Sequence, residues 1–89
     1  MKKRSRIPKR KFEDYMVIVE ECCVKLNLSY TPTLEVELRA NLQMINEYID
    51  IVLDAFLTFG LDSAYEPTKY GMLLDETLSY FVRMSWDIS

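Results

Sequence analysis

The chain has 89 residues, of which 49% are hydrophobic, 12% aromatic and 28% charged, with a formal net charge of −3. That apolar content excludes a disordered chain, and the length allows one domain with a modest core. There is no histidine, which removes histidine bases, histidine metal ligands and histidine pH switches, and the two glycines and three prolines suit a few long helices.

The charge is divided along the chain. Residues 1–33 carry eight Lys/Arg and four Asp/Glu, a net of +4, whereas residues 34–89 carry three and ten, a net of −7. Seven of the first eleven residues are basic: Lys2, Lys3, Arg4, Arg6, Lys9, Arg10 and Lys11. Residues 1–10 therefore read as a basic arm and 11–89 as a single helical domain. The arm is a candidate for phosphate contacts with nucleic acid, which would release counterions. Contact with an acidic protein surface and a plain solubilising tail are the alternatives. No aromatic residue alternates with its charges, so a base-stacking platform is not indicated. Pro8-Lys9-Arg10-Lys11 stands where a signal peptide would be apolar, and the most apolar run, 51–61, contains Asp54. The expected location is the cytoplasm, with no membrane partner; in a eukaryote the arm also fits a nuclear-localisation pattern.

The first helix is predicted from Pro8 or Lys11 to Leu26. Phe12, Tyr15, Met16, Val19, Cys22, Cys23 and Leu26 recur at helical spacing and form one apolar stripe. Asn27 is a candidate C-terminal cap. Lys9, Arg10 and Lys11 fall at the positive end of the helix dipole, an unfavourable start. Cys22 and Cys23 are adjacent, which matches neither a CxxC redox motif nor zinc-ligand spacing, and both belong to the stripe. They read as reduced core thiols.

The strongest pattern lies in the middle. Leu38, Leu42, Ile45, Ile49, Val52, Phe56 and Phe59 follow at spacings of 4, 3, 4, 3, 4 and 3, one face of an amphipathic helix. Thr31 is the expected N-cap, Pro32 the first helical residue and Gly60 the stop, a rod of about 28 residues and ~42 Å. Met44, Tyr48, Ile51, Leu53, Ala55 and Leu57 lie off this ladder. A rod so apolar asks for more cover than two short helices give, so the ladder is a candidate seam for a homo-oligomer as well as core.

Glu47, Asp50 and Asp54, at spacings of 3 and 4, share the opposite side of that helix, and no Lys or Arg occurs between Arg39 and Lys69. The line is a candidate surface for a basic partner, for the arm of a second copy or for a divalent cation; a solvated face is the plain alternative. A turn over 60–67 leads to a third helix from Pro67 or Thr68 to about Met84. Gly71 weakens its first turn, and its missing side chain would admit another backbone. Tyr65 in the turn and Trp86 near the end are candidate partner contacts, since Tyr and Trp are enriched at binding hot spots.

The expected fold is all-α, a small three-helix bundle with a long central helix, assembling as a homo-oligomer. No phosphate-binding loop, nucleophile elbow or zinc motif is present, and no catalytic residue, metal or cofactor is assigned, so the chain is not expected to be an enzyme. The residues favour a helical interaction or regulatory protein. It would self-associate through the central helix and meet a protein partner, a basic one, with the acidic surface of Glu47, Asp50, Asp54, Tyr65 and Trp86. A nucleic-acid-binding oligomer that uses the arm, such as a phage or plasmid DNA-handling accessory protein, is the alternative.

Overall fold

A computed structural model describes residues 10–88, and Lys2, Lys3, Arg4, Arg6 and Lys9 of the arm lie outside the described residues. The described chain is helical, with α1 over Phe12–Leu26, α2 over Glu35–Leu38, α3 over Leu42–Phe59 and α4 over Lys69–Ile88. No helix among the described residues is long and apolar enough to cross a membrane.

The first helix follows its pattern. Its stripe buries Tyr15, Met16, Ile18, Val19, Cys22 and Cys23. Asn27 closes it in the left-handed conformation (φ 61°), a geometry asparagine tolerates better than most residues. At the other end, Asp14 accepts the Lys11 amide at 2.8 Å. Glu13 and Asp14 place two carboxylates in the first turn, which offsets the basic start.

The expected rod from Thr31 to Gly60 is interrupted. Its first part is the single turn α2, and α3 begins anew at Leu42. Asn41 makes the break: its backbone leaves the helical region (φ −135°, ψ 89°), and its side chain accepts the Met44 amide at 3.0 Å. An Asn side chain satisfies an orphan amide at a helix start as readily as a continuing turn would. Thr31 and Pro32 do not start a helix either. Residues 28–34 form an irregular connector across the bundle. Thr33 turns its hydroxyl to Tyr48 of α3, 3.0 Å away, instead of capping a turn of its own.

With the break, α3 shortens to 18 residues, about 27 Å, and the 20-residue α4 is long enough to cover it. The buried stripe of α3 is Ile45, Tyr48, Val52 and Ala55. It is rotated from the ladder toward Tyr48 and Ala55: Ile49 and Phe56 are half-buried, and Leu42 and Phe59 are exposed. Leu38 stays fully buried although it belongs to α2. The Lys25 ammonium lies 5.6 Å from the Phe59 ring centroid and 4.1 Å from that of Tyr70, within cation–π range. At the other end of α1, Tyr15 stacks on Tyr80 at 4.0 Å, so α1 runs counter to α4. Phe81, wholly buried, sits edge-on to Tyr15, Tyr48 and Tyr80 and joins three helices.

The turn between α3 and α4 is closed by hydrogen bonds. Asp62 accepts the amides of Ala64 and Glu66 at 2.8 and 3.0 Å. Thr68 caps α4, accepting the Gly71 amide at 3.0 Å while donating to the Gly60 carbonyl at 3.3 Å. Gly60 and Gly71 then meet backbone to backbone. A Cβ on Gly71 would stand 2.0 Å from the Gly60 carbonyl oxygen, so the space expected beside Gly71 is filled by the other glycine. A Gly71→Ala variant should lose about 3 kcal/mol, because rigid backbone must move, despite the better helix propensity of alanine. Thermal unfolding should fall by about 12 °C or more, and an unchanged midpoint would contradict this contact.

Candidate functional site

The three acids of α3 are all exposed and, by the 100° step of a helix, sit side by side. α3 contains no Lys or Arg, and among the described residues no ion pair reaches Glu47, Asp50 or Asp54. Asp54 has a long 3.5 Å contact from the Thr58 hydroxyl. One flank of the line carries Leu53 and Leu57, which are 39% and 59% exposed. The other flank, at Glu47, is the rim of a 370 Å³ groove between α3 and the 29–33 connector. The carboxylates thus lie between exposed leucines on one side and a groove on the other.

The remaining two residues of the expected surface do not join it. Tyr65 projects from the α3–α4 turn, 82% exposed, whereas Trp86, 68% exposed, lies in the last turns of α4. The length of α4, about 25 Å from its start to Trp86, separates them. At the Trp86 end, Arg39 from the end of α2 approaches Asp87 at 3.9 Å. The five residues thus form a central line and two separate ends. Tyr65 holds a left-handed backbone (φ 64°), costly for a tyrosine, so the fold presents this ring at the expense of stability.

Of the arm, Arg10 and Lys11 are described. Arg10 pairs with Glu76 of α4 at 2.5 Å, and the Tyr15 hydroxyl donates to the same carboxylate at 2.9 Å. Burial alone would raise the Glu76 pKa; the bonds from Arg10 and Tyr15 outweigh it and hold it below the usual carboxylate value. Glu76 and Tyr15 border a 440 Å³ groove that also contains Arg39, Tyr80, Arg83 and Asp87. Two of the three basic residues beyond position 33 come together here, a convergence outside the sequence-based expectation. A signal existed in the register Glu76, Tyr80, Arg83 and Asp87, one face of α4, although the contribution of Arg39 depends on the fold. The charges compensate one another: Arg39 is bonded to Glu35 at 2.9 Å and lies near Asp87, and Arg10 is bonded to Glu76. The groove therefore offers little net field to a charged ligand.

Cys22 and Cys23 are free and buried. Burial pushes the Cys22 thiol up to about 11, away from the thiolate that nucleophilic or redox chemistry requires. Among the described residues no three His, Cys, Asp or Glu side chains are grouped to hold a metal ion. Glu47, Asp50 and Asp54 do not form such a group.

No protein-family model, curated protein or solved structure matches the chain.

The strained backbone of Tyr65 can be tested by its removal. A Tyr65→Gly variant should be more stable by about 0.5–1 kcal/mol, since glycine takes positive φ freely but loses more entropy on folding; a loss in urea titration would show that the ring supports the fold.

Burial is the main reason that Tyr15 and Tyr70 are pushed up to about 12, Tyr70 beside the Cys22 thiol. Groups raised in this way stabilise the folded state below their ordinary values of 9.0 and 10.0, and that contribution is lost as pH rises toward 11 and 12. An alkaline titration should show tyrosinate absorbance arising in two steps, the later one coinciding with loss of the near-ultraviolet circular dichroism. A single step at the ordinary tyrosine value, with the fold intact, would contradict the burial of these rings.

Proposed function

We propose that the chain is a small helical interaction module whose outer α3 face docks a basic protein partner. The observation that carries this is the line Glu47, Asp50 and Asp54, without an ion pair among the described residues, beside exposed Leu53 and Leu57 on a helix with no basic residue. Charge would speed and orient the encounter, and the leucines would supply the apolar contact. Of the ladder, Leu38, Ile45 and Val52 are buried inside the chain while Leu42 and Phe59 are exposed, so a second copy would meet either those two residues or the outer face of α3. Two such faces would set carboxylates against carboxylates, which favours a different partner over a symmetric pair through α3. Self-association through other surfaces is read from the molar mass in solution.

Nucleic acid held by the arm is the second proposal, and it rests on the seven basic residues among the first eleven. A pull-down from the native host, with and without nuclease, separates the two. A protein that co-purifies in both arms of the experiment, and is lost from an Asp50→Lys/Asp54→Lys variant but retained by a chain lacking residues 1–9, is the expected result. Recovery that requires nucleic acid and the basic arm, and ignores the α3 variant, would overturn the α3 proposal in favour of the second.

A further inference from the structure

The groove beside Glu47 has a chemistry of its own. Its lining includes Tyr30, Thr33, Met44, Glu47, Tyr48 and Ile51, and no Lys or Arg. Half-buried Tyr30 and Met44 give it soft, polarisable walls, and Tyr48, only 6% exposed, closes its floor. Among its polar groups are the Glu47 carboxylate, which only accepts, and the hydroxyls of Ser29, Tyr30, Thr31, Thr33 and Tyr48, which accept and donate. The Thr31 carbonyl has long 3.5 Å contacts from Thr33 and Tyr48. Such a lining suits a group that is planar, cationic and rich in donors. A guanidinium has five N–H donors, no acceptor and a flat face that stacks on aromatic rings.

A second groove lies on the other side of the connector and shares Tyr30 and Thr33; Glu13 and Glu35 border it. Glu35 is already bonded to Arg39 at 2.9 Å, and this groove is smaller, at 260 Å³. In the 440 Å³ groove at Tyr15 and Tyr80 the carboxylates are already engaged, Glu76 by Arg10 and Asp87 by Arg39, so none is left for an incoming cation. The groove at Glu47 has neither drawback, and it continues into the line of Asp50 and Asp54.

We propose that the groove between the 29–33 connector and α3 receives an arginine side chain of the basic partner, with its guanidinium against Glu47 and the Tyr30 ring. This rests on the docking role proposed above for the outer face of α3. It makes Glu47 the anchor of the surface, while Asp50, Asp54 and the two leucines receive the residues that follow in the partner.

The test is a titration of the full chain, isotope-labelled for NMR, with the peptide acetyl-Ala-Leu-Arg-Ala-Leu-Arg-amide. A peptide with citrulline in place of both arginines keeps the shape and removes the charge. The expected result is movement of the Met44, Tyr48 and Ile51 signals with the arginine peptide and not with citrulline. Glu47→Gln, an exposed substitution, should weaken binding about tenfold, the loss expected for one charge-assisted bond, whereas Glu66→Gln in the distant turn should leave it unchanged. Equal response to citrulline, an unaffected Glu47→Gln variant, or movement centred on Phe12, Met16 and Leu34 would overturn the proposal. Movement confined to Asp50, Leu53, Asp54 and Leu57 would overturn the arginine pocket and leave the acidic face standing. No movement at any of these positions would sink both.

Discussion

The packing of this chain turns on a place where two backbones touch. Gly60 ends α3 and Gly71 lies in the first turn of α4, and no side chain separates them. These are the only glycines in the sequence. Thr68 locks the contact by donating to one glycine's carbonyl and accepting the other's amide. With the helices this close at the turn, their facing residues are driven into a common core. Val52 and Ala55 on α3, and Leu74, Thr77 and Phe81 on α4, lose all contact with water. Even Thr77 is accommodated there, its hydroxyl returned to the Leu73 carbonyl at 2.8 Å. The aromatic group around Phe81 then fixes α1 on this pair.

The same packing sorts the charges. On α4, Glu76 is held by Arg10 and Tyr15, and Arg39 of α2 is held by Glu35, with Asp87 close by. That face neutralises itself. Among the described residues the outer side of α3 receives no cation, because the helix covering its inner side is α4 and the nearby connector of residues 28–34 contains no Lys or Arg. An acidic strip is left facing water between two leucines and a tyrosine-lined groove. This difference between a compensated face and an uncompensated one, rather than the net charge, directs attention to α3.

The helix patterns were legible in detail where local chemistry decides structure. The stripe of α1, the Asn27 cap, the stop at Gly60 and the close backbone approach at Gly71 all depend on nearest neighbours along the helix or on a missing side chain. The break at Asn41 is masked in the pattern, because an apolar ladder continues across it from Leu38 to Leu42. An Asn within a periodic run was the available signal. Its weight depended on whether the Met44 amide would prefer that side chain to a further helical turn. The rotation of the buried stripe toward Tyr48 and Ala55 was also hidden, since periodicity fixes which residues share a face but not where neighbours press on it.

The order of residues alone makes this chain helical, puts its thiols on a core stripe and sets three carboxylates on one side of a helix without basic neighbours. These are consequences of spacing and composition. It takes the packing of the helices to hold Tyr65 and Trp86 apart, to bring Arg39 and Arg83 to one groove, and to set Glu47 on the rim of a pocket beside Tyr30. Each of those joins residues far apart in sequence, whose distance is set by how α1, the connector and α4 pack around α3 and not by any local preference.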